Sequence, residues 1–205
     1  MNTKELYNRT PHFGSGISKL FTYKELERLL NLRPFVNDRR FKPVWTKDYE
    51  SYTWKYSNWG TEHNAWPPTL IEKMLNRTSA HMADCSRVNN KINRFCEKLE
   101  KMYKCPVDCH IYFSFKKDVN NLGKHKDLND NLISVMEGSL QCEIWSNTIL
   151  TKILNPGDYA FVPAHTYHRI TPLTDKRLSC SFPINRQDKP EHFRFEDRKW
   201  FKIPK

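Results

Sequence analysis

The spacing of apolar and polar residues changes character near residue 105. Upstream, apolar positions recur at helical intervals. Thr22 followed three residues later by Glu25 forms a capping-box signature, and it predicts a helix over 23–32 with Leu26, Leu29 and Leu30 on one face. Pro67 and Pro68 predict the opening of a short helix running to Leu75. Ser86 is placed to cap a longer helix, in which Val88, Ile92, Phe95, Leu99 and Met102 form one apolar stripe. Downstream the period shortens. Strands are expected over 107–115, 131–136, 140–146, 148–154, 158–162, 167–171 and 177–184. Turn signals such as Glu137-Gly138 and Asn155-Pro156-Gly157 separate them. Many short, closely spaced strands predict an antiparallel sandwich or barrel. The expected organisation is a helical, aromatic-rich N-terminal extension over 1–104 packed on a β core over 105–185, followed by a tail over 186–205.

Composition narrows the class. The chain has 205 residues, which suits one domain with an extension. No apolar run is long enough to cross a membrane, and the first residues lack the pattern of a secretory signal, so a cytoplasmic location is expected. Six cysteines without paired CxxC spacing read as buried free thiols. The tryptophans and tyrosines of the segment 40–66 read as rings packing the extension onto the barrel, in preference to a substrate platform. The net charge of +11 favours anionic partners, either an acidic protein or a nucleic acid, with nucleic acid the less favoured.

Candidate chemistry lies in two segments. In Gly123-Lys124-His125-Lys126-Asp127, residues two apart share one face of a strand, so His125 and Asp127 are expected to point together into the barrel. From Asn155 to His168 a turn, an apolar strand and a second turn lead to a further imidazole. Two imidazoles and one carboxylate leave open coordination positions, a set that suits iron(II). His165 reads as a turn or rim residue in preference to a further ligand. His110 is expected either in the pocket or in the core.

The second segment resembles the second motif of the cupin superfamily, G-x5-P-x-G-x2-H, through Gly157, Pro163 and His168, with His165 at the place of the cupin glycine. The first motif departs from the HxH form at Asp127. That departure resembles the 2-oxoglutarate-dependent oxygenases of the same fold, and within them the JmjC-type cupin-like hydroxylases. His125, Asp127, Asp130, the apolar run 132–136, Gly138 and Trp145 follow one of their motifs; Gly157, Asp158, Pro163 and His168 follow the other. The resemblance covers about 75–184. It implies a double-stranded β-helix of the cupin or jelly-roll kind, with His125, Asp127 and His168 holding Fe(II) and 2-oxoglutarate as co-substrate. The JmjC-type base for the distal carboxylate would fall near Leu140, where none is present. Arg177 and Ser179 instead match the R-x-S pattern of other 2-oxoglutarate oxygenases, with Lys176 as the alternative. Tyr112 is a further candidate donor or a core tyrosine, and Asn131 stands at a position that lines the co-substrate site in the resembling family. The implied reaction is oxidative decarboxylation of 2-oxoglutarate by dioxygen to succinate and carbon dioxide, coupled to hydroxylation or demethylation of a protein, nucleic acid or small molecule. Two other readings stay open: a metal-dependent cupin that does not use 2-oxoglutarate, and a non-catalytic binding module. The sequence leaves oligomeric state and substrate undetermined.

Overall fold

The structure is a computed structural model, and it describes residues 10–30, 41–43, 75–119 and 121–185. The helix expected over 67–75 (apart from Leu75), the tryptophan-rich segment 45–66 and the tail over 186–205 lie outside these residues. Among the described residues, two helices, α1 (Tyr23–Leu30) and α2 (Asn90–Tyr103), accompany ten strands. These are β1 (His12–Ser15), β2 (Phe41–Pro43), β3 (Ala80–Met82), β4 (His110–Ser114), β5 (Asp130–Glu137), β6 (Leu140–Trp145), β7 (Ile149–Leu154), β8 (Asp158–Val162), β9 (Tyr167–Pro172) and β10 (Arg177–Ile184). They form one sheet ordered β1-β8-β5-β10-β4-β3-β2 and a second ordered β7-β6-β9, with antiparallel pairing throughout.

The capping box forms as expected: the Thr22 N–H donates to Glu25 Oε2 (2.8 Å) and the Glu25 N–H to Thr22 Oγ1 (3.2 Å). The second helix starts later than Ser86. Asn89 caps it, its side chain accepting the Ile92 N–H at 2.8 Å, while the Val88 N–H closes a turn onto the Cys85 carbonyl. The helix ends at Lys104, which takes the left-handed conformation and returns its N–H to the Glu100 carbonyl.

The first half of the chain is not only helical. It supplies β1, β2 and β3 to the large sheet, and β1 pairs with β8 through residues such as Gly14 opposite Tyr159. The short runs at 12–15 and 80–82 offered too few alternating positions to announce strands; their place comes from the sheet edges they extend.

Strand alternation sorts the interior into two cores. Leu132 and Met136 of β5, Tyr159 and Phe161 of β8, and Leu178, Cys180 and Phe182 of β10 face the helices, where they meet Leu26, Ile92, Cys96 and Leu99. Ile133 and Val135 of β5, Ala160 and Val162 of β8, and Leu140, Cys142 and Ile144 of β6 fill the space between the sheets. Leu140, where a co-substrate base was sought, is one of these core residues. All six cysteines are free and buried, as their spacing implied, and burial pushes the Cys142 thiol up to about 12. No helix among the described residues is long and apolar enough to cross a membrane.

Strand β10 breaks the apolar pattern. It is buried on both faces, and its inward positions are Arg177, Ser179 and Ser181. A buried polar row on a central strand costs free energy unless it has partners; here Arg177 donates to Ser179 and Ser181 to Asn131.

Candidate metal centre

The three candidate ligands are assembled by backbone hydrogen bonds. His125 was expected on a strand. It lies instead in a single isolated bridge to His168: the His125 N–H donates to the His168 carbonyl (3.0 Å) and the His168 N–H to the His125 carbonyl (2.8 Å). Two residues on, the Asp127 carbonyl accepts the His165 N–H at 2.8 Å. No ladder extends the bridge because the chain changes sheets here. His125 pairs toward β9 of the small sheet, whereas from Asp130 onward the chain pairs with β8 and β10 of the large one.

One potential ligand atom from each of His125, Asp127 and His168 lies within 4.8 Å of the other two. His168 Nε2 is 3.5 Å from Asp127 Oδ2, and His125 Nε2 is 3.9 Å from Asp127 Oδ1. Neighbouring ligand atoms around an ion with bonds of about 2.1 Å stand roughly 3 Å apart, so small side-chain rotations close the set. The tautomers suit a metal. His125 Nδ1 lies 2.8 Å from the Gly123 carbonyl and His168 Nδ1 3.2 Å from the Thr166 carbonyl. A carbonyl only accepts, so each Nδ1 carries the proton and each Nε2 presents a lone pair. Burial pushes the His168 pKa down, and the nearby His125 adds to the effect, which favours the neutral imidazole a metal requires.

The triad opens on a cleft lined also by Ser79, Tyr112, Asn121, Leu122, Ile133, Ile170, Arg177, Ser179 and Ser181. Arg177 is 2% exposed. Its terminal nitrogens donate to Ser179 Oγ (3.2 Å) and Ser79 Oγ (3.3 Å), and its Nε has no partner. Among the described residues no carboxylate pairs with it. Burial pushes its pKa down to about 10, against the favourable influence of Tyr23 and Tyr112, so it stays charged at neutral pH. Tyr112 lines the same wall, and burial raises its phenol to about 12, leaving it a neutral donor.

The other candidates fall elsewhere. Lys176 is exposed, with its ammonium 5.8 Å from the Tyr23 ring centre, and does not line the cleft. His110 leaves the pocket for Asp108 (3.2 Å) and stacks on His81. His165 is exposed in a turn at φ 61°, where the cupin motif places glycine. Asn131 does not line the cleft. It stands behind Asp127, donating from Nδ2 to Asp127 Oδ2. Ser79 and Ser181 were missed. Ser181 was within reach of the sequence as the second serine of an alternating Arg-x-Ser-x-Ser row, whereas nothing near Ser79 signalled that the chain just before β3 would pass the Arg177 head.

No family model matches the chain, and no curated protein matches it. Solved structures do. The crystal structure of Escherichia coli ribosomal oxygenase YcfD superposes with a TM-score of 0.64 at 15% identity, covering 91% of this chain and 53% of that one. The same ribosomal oxygenase in complex with cobalt and succinic acid gives 0.56 at 14% identity, covering 88% and 50%. The fold is a jelly-roll β-sandwich of antiparallel strands. The chain spans about half the length of the ribosomal oxygenase, and at these identities the likeness is one of fold.

Proposed function

We propose that the protein is an Fe(II)- and 2-oxoglutarate-dependent oxygenase that hydroxylates or demethylates a protein or another anionic target. The observation that carries this reading is Arg177. Among the described residues this buried guanidinium is held by two hydroxyls and by no carboxylate, so its charge is uncompensated there, a costly arrangement in the interior. A dicarboxylate bound in the cleft would supply the missing partner, with its other end toward the candidate metal site. The ribosomal oxygenase of the same fold was solved with cobalt and succinic acid. Succinic acid is the dicarboxylate left when 2-oxoglutarate loses carbon dioxide and takes up one oxygen atom from dioxygen, which supports this assignment.

The residues have distinct tasks in this reading. His125, Asp127 and His168 would hold the ion through two imidazoles and one carboxylate, a set that suits iron(II). Iron(II) with a 2-oxo acid and dioxygen supplies an oxidant able to attack an unactivated C–H bond. Arg177 grips the distal carboxylate, while Ser179 and Ser79 fix the plane of its guanidinium and Tyr112 offers a phenol donor. Ile133, Ile170 and Leu122 give the cleft apolar walls that exclude water. This chemistry calls for no general base. The net charge and the lysines either side of His125 favour an acidic target, and Leu122 and the 68% exposed Leu128 favour a macromolecular one.

Calorimetric titration of Mn(II)-loaded protein with 2-oxoglutarate tests the co-substrate. Binding that needs the metal and is lost in Arg177→Met is the expected result. Metal-loaded protein that ignores 2-oxoglutarate would move the assignment to another class of metal-dependent cupin.

A further inference from the structure

We propose that Asn131 is a positioning residue for the Asp127 carboxylate, and that the Ser181 hydroxyl braces it for that task. The proposal rests on the metal-site reading above and assigns Asn131 a place behind the ligands instead of on the co-substrate wall.

Asp127 needs such a tether. It sits where the chain crosses between sheets, outside any ladder, and its side chain is 38% exposed. Its main-chain carbonyl is fixed by His165, which leaves the carboxylate free to turn about its own torsions. Among the described residues, Asn131 is the one neutral side chain that donates to it. The direction of the contact is dictated chemically. An ionised carboxylate only accepts, so the Asn131 amide must present its NH₂ to Asp127. The amide oxygen then faces Ser181, whose hydroxyl donates to it at 3.2 Å. Two hydrogen bonds thus run in one sense, Ser181 to Asn131 to Asp127, and each polarises the next. One oxygen of Asp127 is steadied, and the other stays available to an ion.

The platform is rigid. Asn131 pairs with Val162 on one side and Pro183 on the other, so it is held in the middle of the large sheet, and it is 6% exposed. The preceding residue serves the other arm of the site. Asp130 Oδ1 accepts the Ala164 N–H at 2.8 Å, in the turn that delivers His168. Two consecutive residues of β5, pointing to opposite faces, therefore each hold one arm of the triad.

The test is Mn(II) affinity, followed by electron paramagnetic resonance titration, for the unaltered chain and for Asn131→Ala, Ser181→Ala and Ser181→Thr. Melting temperatures of the metal-free proteins are recorded beside it. Asn131→Ala is expected to weaken Mn(II) binding by about 10- to 100-fold, the usual effect of removing a hydrogen-bond partner of a metal ligand. Ser181→Ala is expected to weaken it less, and Ser181→Thr to restore it, with no matching trend in melting temperature. Asn131→Ala binding as tightly as the unaltered chain would overturn the proposal and leave the metal site standing. Should Asn131→Ala fail to fold, equal affinities for Ser181→Ala, Ser181→Thr and the unaltered chain would overturn it. An unaltered chain that binds no Mn(II) would overturn the metal reading and this proposal together.

Discussion

His125 and His168 lie far apart in sequence and exchange both backbone hydrogen bonds of a single antiparallel pair, at 3.0 and 2.8 Å. That bridge sets their rings 4.3 Å apart between centres. The backbone, before any ion arrives, brings the two imidazoles together, and only the carboxylate between them depends on a side-chain tether.

The turn that feeds this bridge carries a non-glycine residue at positive φ, His165 at 61°. Its N–H holds the Asp127 carbonyl, but its side chain is exposed. Replacing it with glycine keeps the N–H and relieves a left-handed strain of roughly 1 kcal/mol. His165→Gly is expected to match or exceed the parent in urea denaturation and to bind Mn(II) unchanged. A large loss of Mn(II) affinity would make His165 a ligand.

Arg177 separates stability from function. Arg177→Met fills similar space without a buried charge. The metal-free variant is expected to be as stable as the parent, or more stable by about 1–4 kcal/mol. It should also lose the thermal stabilisation that 2-oxoglutarate gives the Mn(II)-loaded parent. Strong destabilisation in chemical denaturation would show that the guanidinium is a structural strut.

Gly14 tests the unexpected strand β1. A Cβ there would lie 2.4 Å from the buried Tyr159 ring, its partner across the β1–β8 pair. Gly14→Ala is expected to cost about 1–3 kcal/mol in denaturant unfolding without weakening Mn(II) binding. A neutral effect would mean that β1 does not pack on β8 in this register.

Asp108 gives a pH signature. Burial acts to raise its carboxyl, but the hydrogen bond from His110, the Cys109 and Asp84 N–H groups and the His110 charge together hold it below its ordinary 3.8. The unfolded chain therefore takes up the proton at a higher pH than the folded one. The contribution is complete above about pH 4 and fades as the pH falls further, through the lowered value. Parent and Asp108→Asn should differ in melting temperature at pH 6, and the difference should shrink as the pH falls below 3.8 and vanish once it is below the lowered folded value. A difference that persists in acid would place the effect on something other than charge.

Much of this was legible in the sequence where local pattern and tertiary role agree. β8 and β10 fall where alternation and turns placed them. Thr22 and Glu25 cap α1, and His125, Asp127 and His168 meet. The expectation failed where long-range pairing decides. β1 and β3 are strands only because sheet edges recruit them. Ser79 reaches Arg177 across 98 residues of chain. The HxD pair looks like a strand by spacing, yet it lies at a crossing between sheets that no local period reveals. Asn131 was placed by family position, and only the geometry turns it toward Asp127.

The most direct test of the account is turnover without added substrate. The protein is supplied with iron(II), ascorbate and 2-oxoglutarate in air, and succinate is quantified beside Asp127→Ala. The account predicts succinate from the parent and none above background from the variant. Equal succinate from both, or none from a parent shown to bind both iron(II) and 2-oxoglutarate, would contradict it.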